Sequence, residues 1–368
     1  MDVVVIGAGL AGLTAAAILG QAGASIEIVE ADRHIGGRIR AVRDPVSNRV
    51  LADLGPTWVW PKYQPVAARW LDRLAIATFE QFNDGDAVIT GYGPAPFRQP
   101  VPGQDGMVRI AGGPSAFIDA LSGIVGDARI RNSAAVTGIS EDGPNKLQIH
   151  LGSGEILTAG KVIVSVPLRV AAVSMHLPWA PASLLDALSG TPTWMSSQAK
   201  AVALYERPFW RDAGLSGRIV SRNGPLFEAH DHCSADNTTA AIFGFVSWSP
   251  EQRKKDPEGL RQAILDQLMA SFGKAAGHPI DLVVQDWAAN AHITTGMDLA
   301  QPAQHPDLAP TVLRQPHLGG RLRFAVSEVS DISPGLIEGA LAAGEQAASA
   351  LLGERPQNRR PGAVPVAS

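Results

Sequence analysis

The opening stretch, "MDVVVIGAGLAGLTAAAILGQAGASIEIVE", restricts the possible folds of this chain more than any other segment. A β-branched run from Val3 to Ile6 predicts a strand, the glycines after it a tight turn, and the alanine-rich segment from about Leu10 to Gln21 a helix. A second strand, Ser25 to Val29, ends on Glu30. The result is a βαβ unit carrying Gly7-x-Gly9-x-x-Gly12. Gly7 permits the turn, Gly9 lets backbone approach a pyrophosphate, and Gly12 lets helix and strand pack closely. The first helical turn, which includes Ala11, offers free N–H groups to anionic phosphate. Glu30 falls where a carboxylate accepts hydrogen bonds from an adenosine ribose. The expectation is a Rossmann-like α/β dinucleotide domain.

With 368 residues the chain exceeds one small core, since single domains mostly run to about 100–200 residues, and two lobes are expected. Apolar residues at 45% against 18% charged describe a globule stabilised by burial rather than a disordered chain. A net charge of -4 with no large basic patch argues against nucleic acid as a partner. The single cysteine, Cys233, has no partner for an internal disulfide and suits a reducing, cytoplasmic setting. No basic leader region precedes an apolar stretch, and no run approaches the ~18 apolar residues of a membrane helix. Neither a secretory leader nor a membrane partner is therefore expected. The "HDHC" segment, His230 to Cys233, has no second His or Cys cluster to complete four ligands, so no metal is expected. The proline-broken segment at 353–368 reads as a disordered tail.

"EADRHIGGRIR" adds a second glycine turn, Gly36-Gly37, followed by Arg38, whose guanidinium suits the same diphosphate. This stretch resembles the extended FAD signature of flavoproteins related to the amine oxidases. The resemblance implies pyrophosphate contacts from Gly37 and Arg38. "DLGPTWVWP" is similar to the loop that such proteins run past the flavin ring, which carries Gly55, Pro56, Thr57 and Trp58 into the cofactor set. In "IRNSAAVTGIS", the resemblance places Val136 against the adenine.

"SQAKAVALYERPFWR" resembles a strand of the flavin monoamine oxidases, in which a lysine precedes Pro-Phe-Trp-Arg by the same interval. There the lysine holds a water facing flavin N5, a role that the resemblance carries to Lys200. The residues themselves say less. Alternation puts Lys200 with Val202 and Leu204 on one face and Ala201, Ala203 and Tyr205 on the other, so both faces are mostly apolar. An ammonium there needs partners or a lowered pKa, whereas a lysine at a strand end would be an edge or snorkelling residue.

In "QDWAANAHITTG", Trp287 matches a tryptophan near the flavin of relatives, and Thr294 to Met297 stand where covalently flavinylated relatives carry cysteine. FAD is therefore expected to bind non-covalently. "GRLRFAVSEVSDISPGLIEGALAAGEQAASALL" resembles the closing motif of the family, with Glu328 as an FAD-contacting acid. Ser333 reads as an N-cap and Pro334 as a first helical residue. The following helix points its first turn, with Leu336 and Ile337, at the flavin, where a helix N-terminus stabilises charge on reduction. Three departures stand out: Leu336 and Met297 occupy positions where relatives carry substrate-flanking aromatic rings, and Val326 replaces a usual glycine. Trp58, Trp60 or His292 would then supply the aromatic surface, and His230 is a further candidate for the cavity wall.

The resemblance implies an amine oxidase-like fold with an interleaved α+β substrate domain. Residues 1–65, 109–170 and 291–352 form the expected FAD lobe, and residues 66–108 and 171–290 the substrate lobe. The implied activity is oxidation of a C–N bond of an amine or amino acid to an imine, with oxygen as acceptor giving peroxide. The shared signature leaves open a dehydrogenase or desaturase with another acceptor, and a flavin-binding component without turnover of its own.

Overall fold

A computed structural model describes residues 1–126, 129–301 and 304–353. The expected tail lies outside the described residues from 354 onward. Five parallel strands form the central sheet, in the order Ile130–Arg131, Ile26–Val29, Val3–Ile6, Lys161–Val164, Leu322–Phe324. Val3 and Val5 point into one core with Leu13, Ile28 and Ile163, whereas Val4 and Ile6 point into another with Val29, Val162 and Val164. Burial on both faces is why these strands read as continuous apolar runs rather than alternating ones.

The first helix, Leu10–Gln21, and the last, Ile337–Leu351, pack side by side on one face of this sheet. Their approach depends on Gly344, where an added Cβ would meet the Ala11 carbonyl at 2.5 Å. The last helix begins later than its sequence suggests. Its N-cap is Leu336, not Ser333, because Ser333 and Gly335 adopt φ of +43° and +81°. That left-handed turn seats Gly335 against Trp194, where a Cβ would come within 2.8 Å of the indole's own Cβ.

A seven-stranded mixed sheet forms the other large layer. Its order is Asp281–Asp286, Ala199–Tyr205, Ala240–Val246, Leu226–Asp231, Leu215–Ser221, Asp86–Thr90, Phe97–Pro100. Helix Pro257–Phe272 covers one face through Leu260, Ile264 and Leu268. On the other face, Val202, Leu204 and Phe243 meet Ala52 and Leu54. The segment Leu54 to Val59 thus lies between the two sheets, and the functional cavity opens there.

Candidate active site

A cavity of about 470 Å³ runs from the glycine turn to the seven-stranded sheet. Gly7, Gly9 and Ala11 line its first end together with Glu30, Gly37 and Arg38. A Cβ on Gly9 would meet nothing within 4 Å, so the open space at the helix N-terminus is room for a ligand, and no side chain caps that helix. Gly12 does not line the cavity; its Cβ would fall 2.1 Å from the Gly7 carbonyl, so it serves helix–strand packing. Glu30 is buried, accepting the backbone N–H of Ala8 and of Asp32, each at 2.8 Å. Burial raises its pKa above the usual glutamate value even against those two bonds.

Arg38 forks onto Glu328 with two bonds, of 2.7 and 2.9 Å, and the second N–H of each terminal nitrogen reaches the Trp194 carbonyl and Ser327 Oγ. The Trp194 N–H also donates to Glu328, at 3.1 Å. Burial would raise the pKa of Glu328, but the Arg38 guanidinium and these donors outweigh it and hold the carboxyl below its usual range. Glu328 is absent from the cavity wall. Its carboxylate is taken up by Arg38, so among the described residues it stands as the anchor of that arginine.

Gly55, Pro56, Thr57 and Trp58 all line the middle of the cavity, and Val136, Trp287, Leu336 and Ile337 complete the predicted set on its wall. Trp287 braces the loop, its indole N–H donating to the Leu54 carbonyl at 3.1 Å. The helix that starts at Ile337 has no side-chain cap, and Leu336, Ile337 and Ala340 at its start all line the cavity.

Lys200 sits in a strand buried at all seven positions, and the snorkelling alternative fails because the side chain never reaches solvent. Its Nζ donates to the Gly55 carbonyl at 3.0 Å and to Thr57 Oγ1 at 2.5 Å, and lies 4.1 Å from the centroid of the Phe243 ring. Burial drives the amine down to about 7, against the opposing pull of Asp53. Pro208 to Arg211 anchor this strand from beyond its end: Trp210 and Arg211 both donate to the buried Asp231.

Met297 is not on the cavity wall, whereas Leu336 is. Aromatic surface comes instead from Trp58, Trp60, Trp194 and Phe245. His292 lines the cavity too. His230 is buried beside the wall and not in it, bonded to Glu228 at 2.8 Å and edge-on to Trp58 at 4.9 Å. His232 and Cys233 turn away into packing, and among the described residues no three His, Cys, Asp or Glu side chains gather as metal ligands.

Sequence reading missed Trp194, Phe245 and the buried set around Asp53. Phe245 pairs across strands with Lys200 from 45 positions away, and nothing local marks it. Asp53 did carry a signal, as an acid directly before the glycine-proline loop.

The family model described as flavin containing amine oxidoreductase matches residues 95–352, and that of an NAD(P)-binding Rossmann-like domain matches residues 5–74. A probable flavin-containing monoamine oxidase A of Dictyostelium discoideum is 27% identical over 245 residues, 64% of this chain and 51% of that protein. A putative flavin-containing monoamine oxidase, AofH, of Mycobacterium tuberculosis is 28% identical over 247 residues, 66% of this chain and 51% of its own length. The chain thus spans about half the length of the curated relatives it matches. Among solved structures, putrescine oxidase superposes with a TM-score of 0.76 at 18% identity, covering 96% of this chain and 99% of its own. Cyclohexylamine oxidase from Brevibacterium oxydans gives 0.76 at 18%, covering 95% and 98%.

Proposed function

This chain belongs to the flavin-containing amine oxidoreductase family, and we propose that it binds FAD without a covalent link and oxidises a C–N bond of a small amine or amino acid. One observation carries the reading. A single continuous cavity joins a dinucleotide-binding glycine turn, with Glu30 and Arg38, to a buried lysine whose amine is held by the loop crossing between the sheets.

The residues fit the cofactor. Gly9 leaves space for a pyrophosphate at an uncapped helix N-terminus, Glu30 suits the adenosine ribose, and Val136 forms wall beside it. FAD, when bound, supplies the two-electron acceptance that amine oxidation requires. The chain's residues do the rest. Gly55 to Trp58 form the surface for a planar ring, the helix at Ile337 offers N–H groups to developing negative charge, and Lys200 holds a proton or a water beside the reacting region. Cys233, the only cysteine, lies off the cavity wall, and burial pushes its thiol up to about 12, so it makes no flavin bond. Acid precipitation should therefore release all of the FAD. We assign residues 1–65, 109–170 and 291–352 to the flavin lobe and residues 66–108 and 171–290 to the substrate lobe.

The deciding experiment mixes the purified flavin-bearing protein, without oxygen, with a panel of amines and amino acids. Bleaching of the flavin absorbance, followed by peroxide on admitting air, is expected. Bleaching with slow reoxidation in air but fast reoxidation by a quinone would move the acceptor from oxygen to another oxidant. No bleaching with any member would overturn the amine reading.

Leu336 offers a narrower probe of the substrate. Leu336→Tyr puts an aromatic ring on the cavity wall, where attraction of an amine is worth about 0.5–2 kcal/mol, so KM for aryl- or alkylamines should shift roughly 2- to 30-fold. An unchanged substrate profile would remove Leu336 from the substrate's reach.

A further inference from the structure

Behind the Gly55 to Trp58 loop lies a set of charged side chains to which the proposed reaction assigns no part. Asp53, 2% exposed, ends the strand that feeds the loop. Its backbone N–H donates to His232 Nε2 at 2.9 Å, and its carboxylate lies 3.3 Å from that same nitrogen. Arg109, from the strand Val108–Ile110, is 6% exposed and donates to the Cys233 carbonyl at 2.6 Å. Phe243 separates this set from the amine: Lys200 lies over its face, and the His232 ring meets its edge at 5.1 Å.

The other charged groups nearby are already paired. Glu228 holds His230, and Asp231 is taken by Trp210 and Arg211. Burial and the positive charge of Arg109 drive His232 down to about 3, so its imidazole is neutral at working pH. The charges left to balance one another are the Asp53 carboxylate, the Arg109 guanidinium and Lys200. With Lys200 protonated this buried set carries one excess positive charge, and with Lys200 neutral it carries none. Asp53 thus favours the proton on Lys200 and Arg109 opposes it, because an opposite charge stabilises an ammonium and a like charge destabilises it.

The protonation state matters because of how the amine is bonded. A neutral Lys200 has two N–H groups, and Gly55 and Thr57 take both. Its lone pair is then what it offers the cavity it lines, whereas a protonated Lys200 offers a third N–H. We propose that Asp53 and Arg109 are opposed positioning residues that act through Lys200, setting whether its amine presents an acceptor or a donor to the reacting region. The consequence for turnover rests on the amine-oxidation reading above; the titration that tests the proposal does not.

The test is a pH titration of the flavin-bearing protein carrying lysine labelled with carbon-13 at Cε. The Lys200 NMR cross-peak is identified by its loss in Lys200→Met. The wild-type midpoint is expected at about 7. Asp53→Asn should lower it by roughly one pH unit and Arg109→Met should raise it by roughly one unit, while His232→Gln, which removes a neutral group, should leave it nearly unmoved. Opposite shifts support the proposal. Midpoints that stay in place, or move the same way in both variants, overturn it and return the pair to a packing role. If Asp53→Asn fails to fold, Arg109→Met decides alone, since an unmoved or lowered midpoint overturns the proposal. A protein that titrates as expected but is bleached by no amine loses the proposed reaction and keeps this inference. One that oxidises amines with unmoved midpoints loses only the inference.

Discussion

Lys200→Met is expected to keep its FAD and to lose roughly 10²-fold in turnover, the usual scale for removing a positioned proton-handling group. Methionine fills nearly the same space in the strand and keeps its apolar contacts, while both bonds to Gly55 and Thr57 disappear. Stopped-flow measurement of reduction and reoxidation separates the step affected. Unchanged rates in both halves of the reaction would make Lys200 a structural residue.

The same variant has a signature in stability that needs no substrate. The Lys200 amine titrates near 10.5 in the unfolded chain and at about 7 in the folded protein. Between those values the unfolded chain binds the proton more tightly, so stability rises with pH across that window, by at most ~1.4 kcal/mol per pH unit. The burial penalty is fully present below about 7 and disappears above 10.5. Tyr205 and Cys233, whose pKa values burial raises, act in the opposite sense at the alkaline end, but they are common to both proteins and cancel. Urea unfolding at pH 7.0 and about 8.5 should therefore show wild type gaining on Lys200→Met as pH rises. Parallel curves would mean that the folded lysine keeps its proton across this range, as an amine that is not buried would.

Arg38→Met should produce the largest loss of stability, about 3–5 kcal/mol, with loss of flavin retention. The reason is Glu328: its side chain is 2% exposed, and without the guanidinium fork it keeps only the Ser327 hydroxyl and the Trp194 N–H as donors. The Trp194 carbonyl also loses its donor, so the segment leading into the Lys200 strand loosens at the cavity wall. Arg38→Lys should recover little, because a point ammonium cannot make the paired bonds of a planar guanidinium. Combining Arg38→Met with Glu328→Gln should restore most of the stability but not the flavin, since it removes the uncompensated charge without restoring a phosphate donor. A denaturant midpoint in Arg38→Met equal to wild type would show that the pair does not lock the two segments.

Local pattern went far in this chain where function coincides with backbone geometry. Gly7, Gly9 and Gly12 are legible because a turn, a phosphate approach and a helix–strand contact each tolerate no side chain, and Glu30 is legible because it ends the next strand. The structure assigns the three glycines these separate duties: strain with φ of +103° at Gly7, open space at Gly9, and backbone contact at Gly12. The last helix shows the limit of such reading. Ser333 and Pro334 have the residue types of a helix start, yet Trp194, from a distant segment, packs on Gly335 and forces a left-handed turn first. A propensity of less than ~1 kcal/mol yields to packing of that kind.

The electrostatics lay further out of reach. Arg38 reads as a phosphate ligand, but its partner in the structure, Glu328, is 290 positions away, and the fork between them takes up the carboxylate that reads in the sequence as a cofactor contact. Lys200 reads as a buried lysine; its surroundings of Asp53, Arg109, His232 and Phe243 come from four separate strands or loops. Residue spacing along the chain carries backbone periodicity and so determines strands, turns and the nucleotide-binding unit. The state of a proton depends on charges and solvent within a few ångströms in any direction, and only the packing of distant strands around Lys200 brings those together.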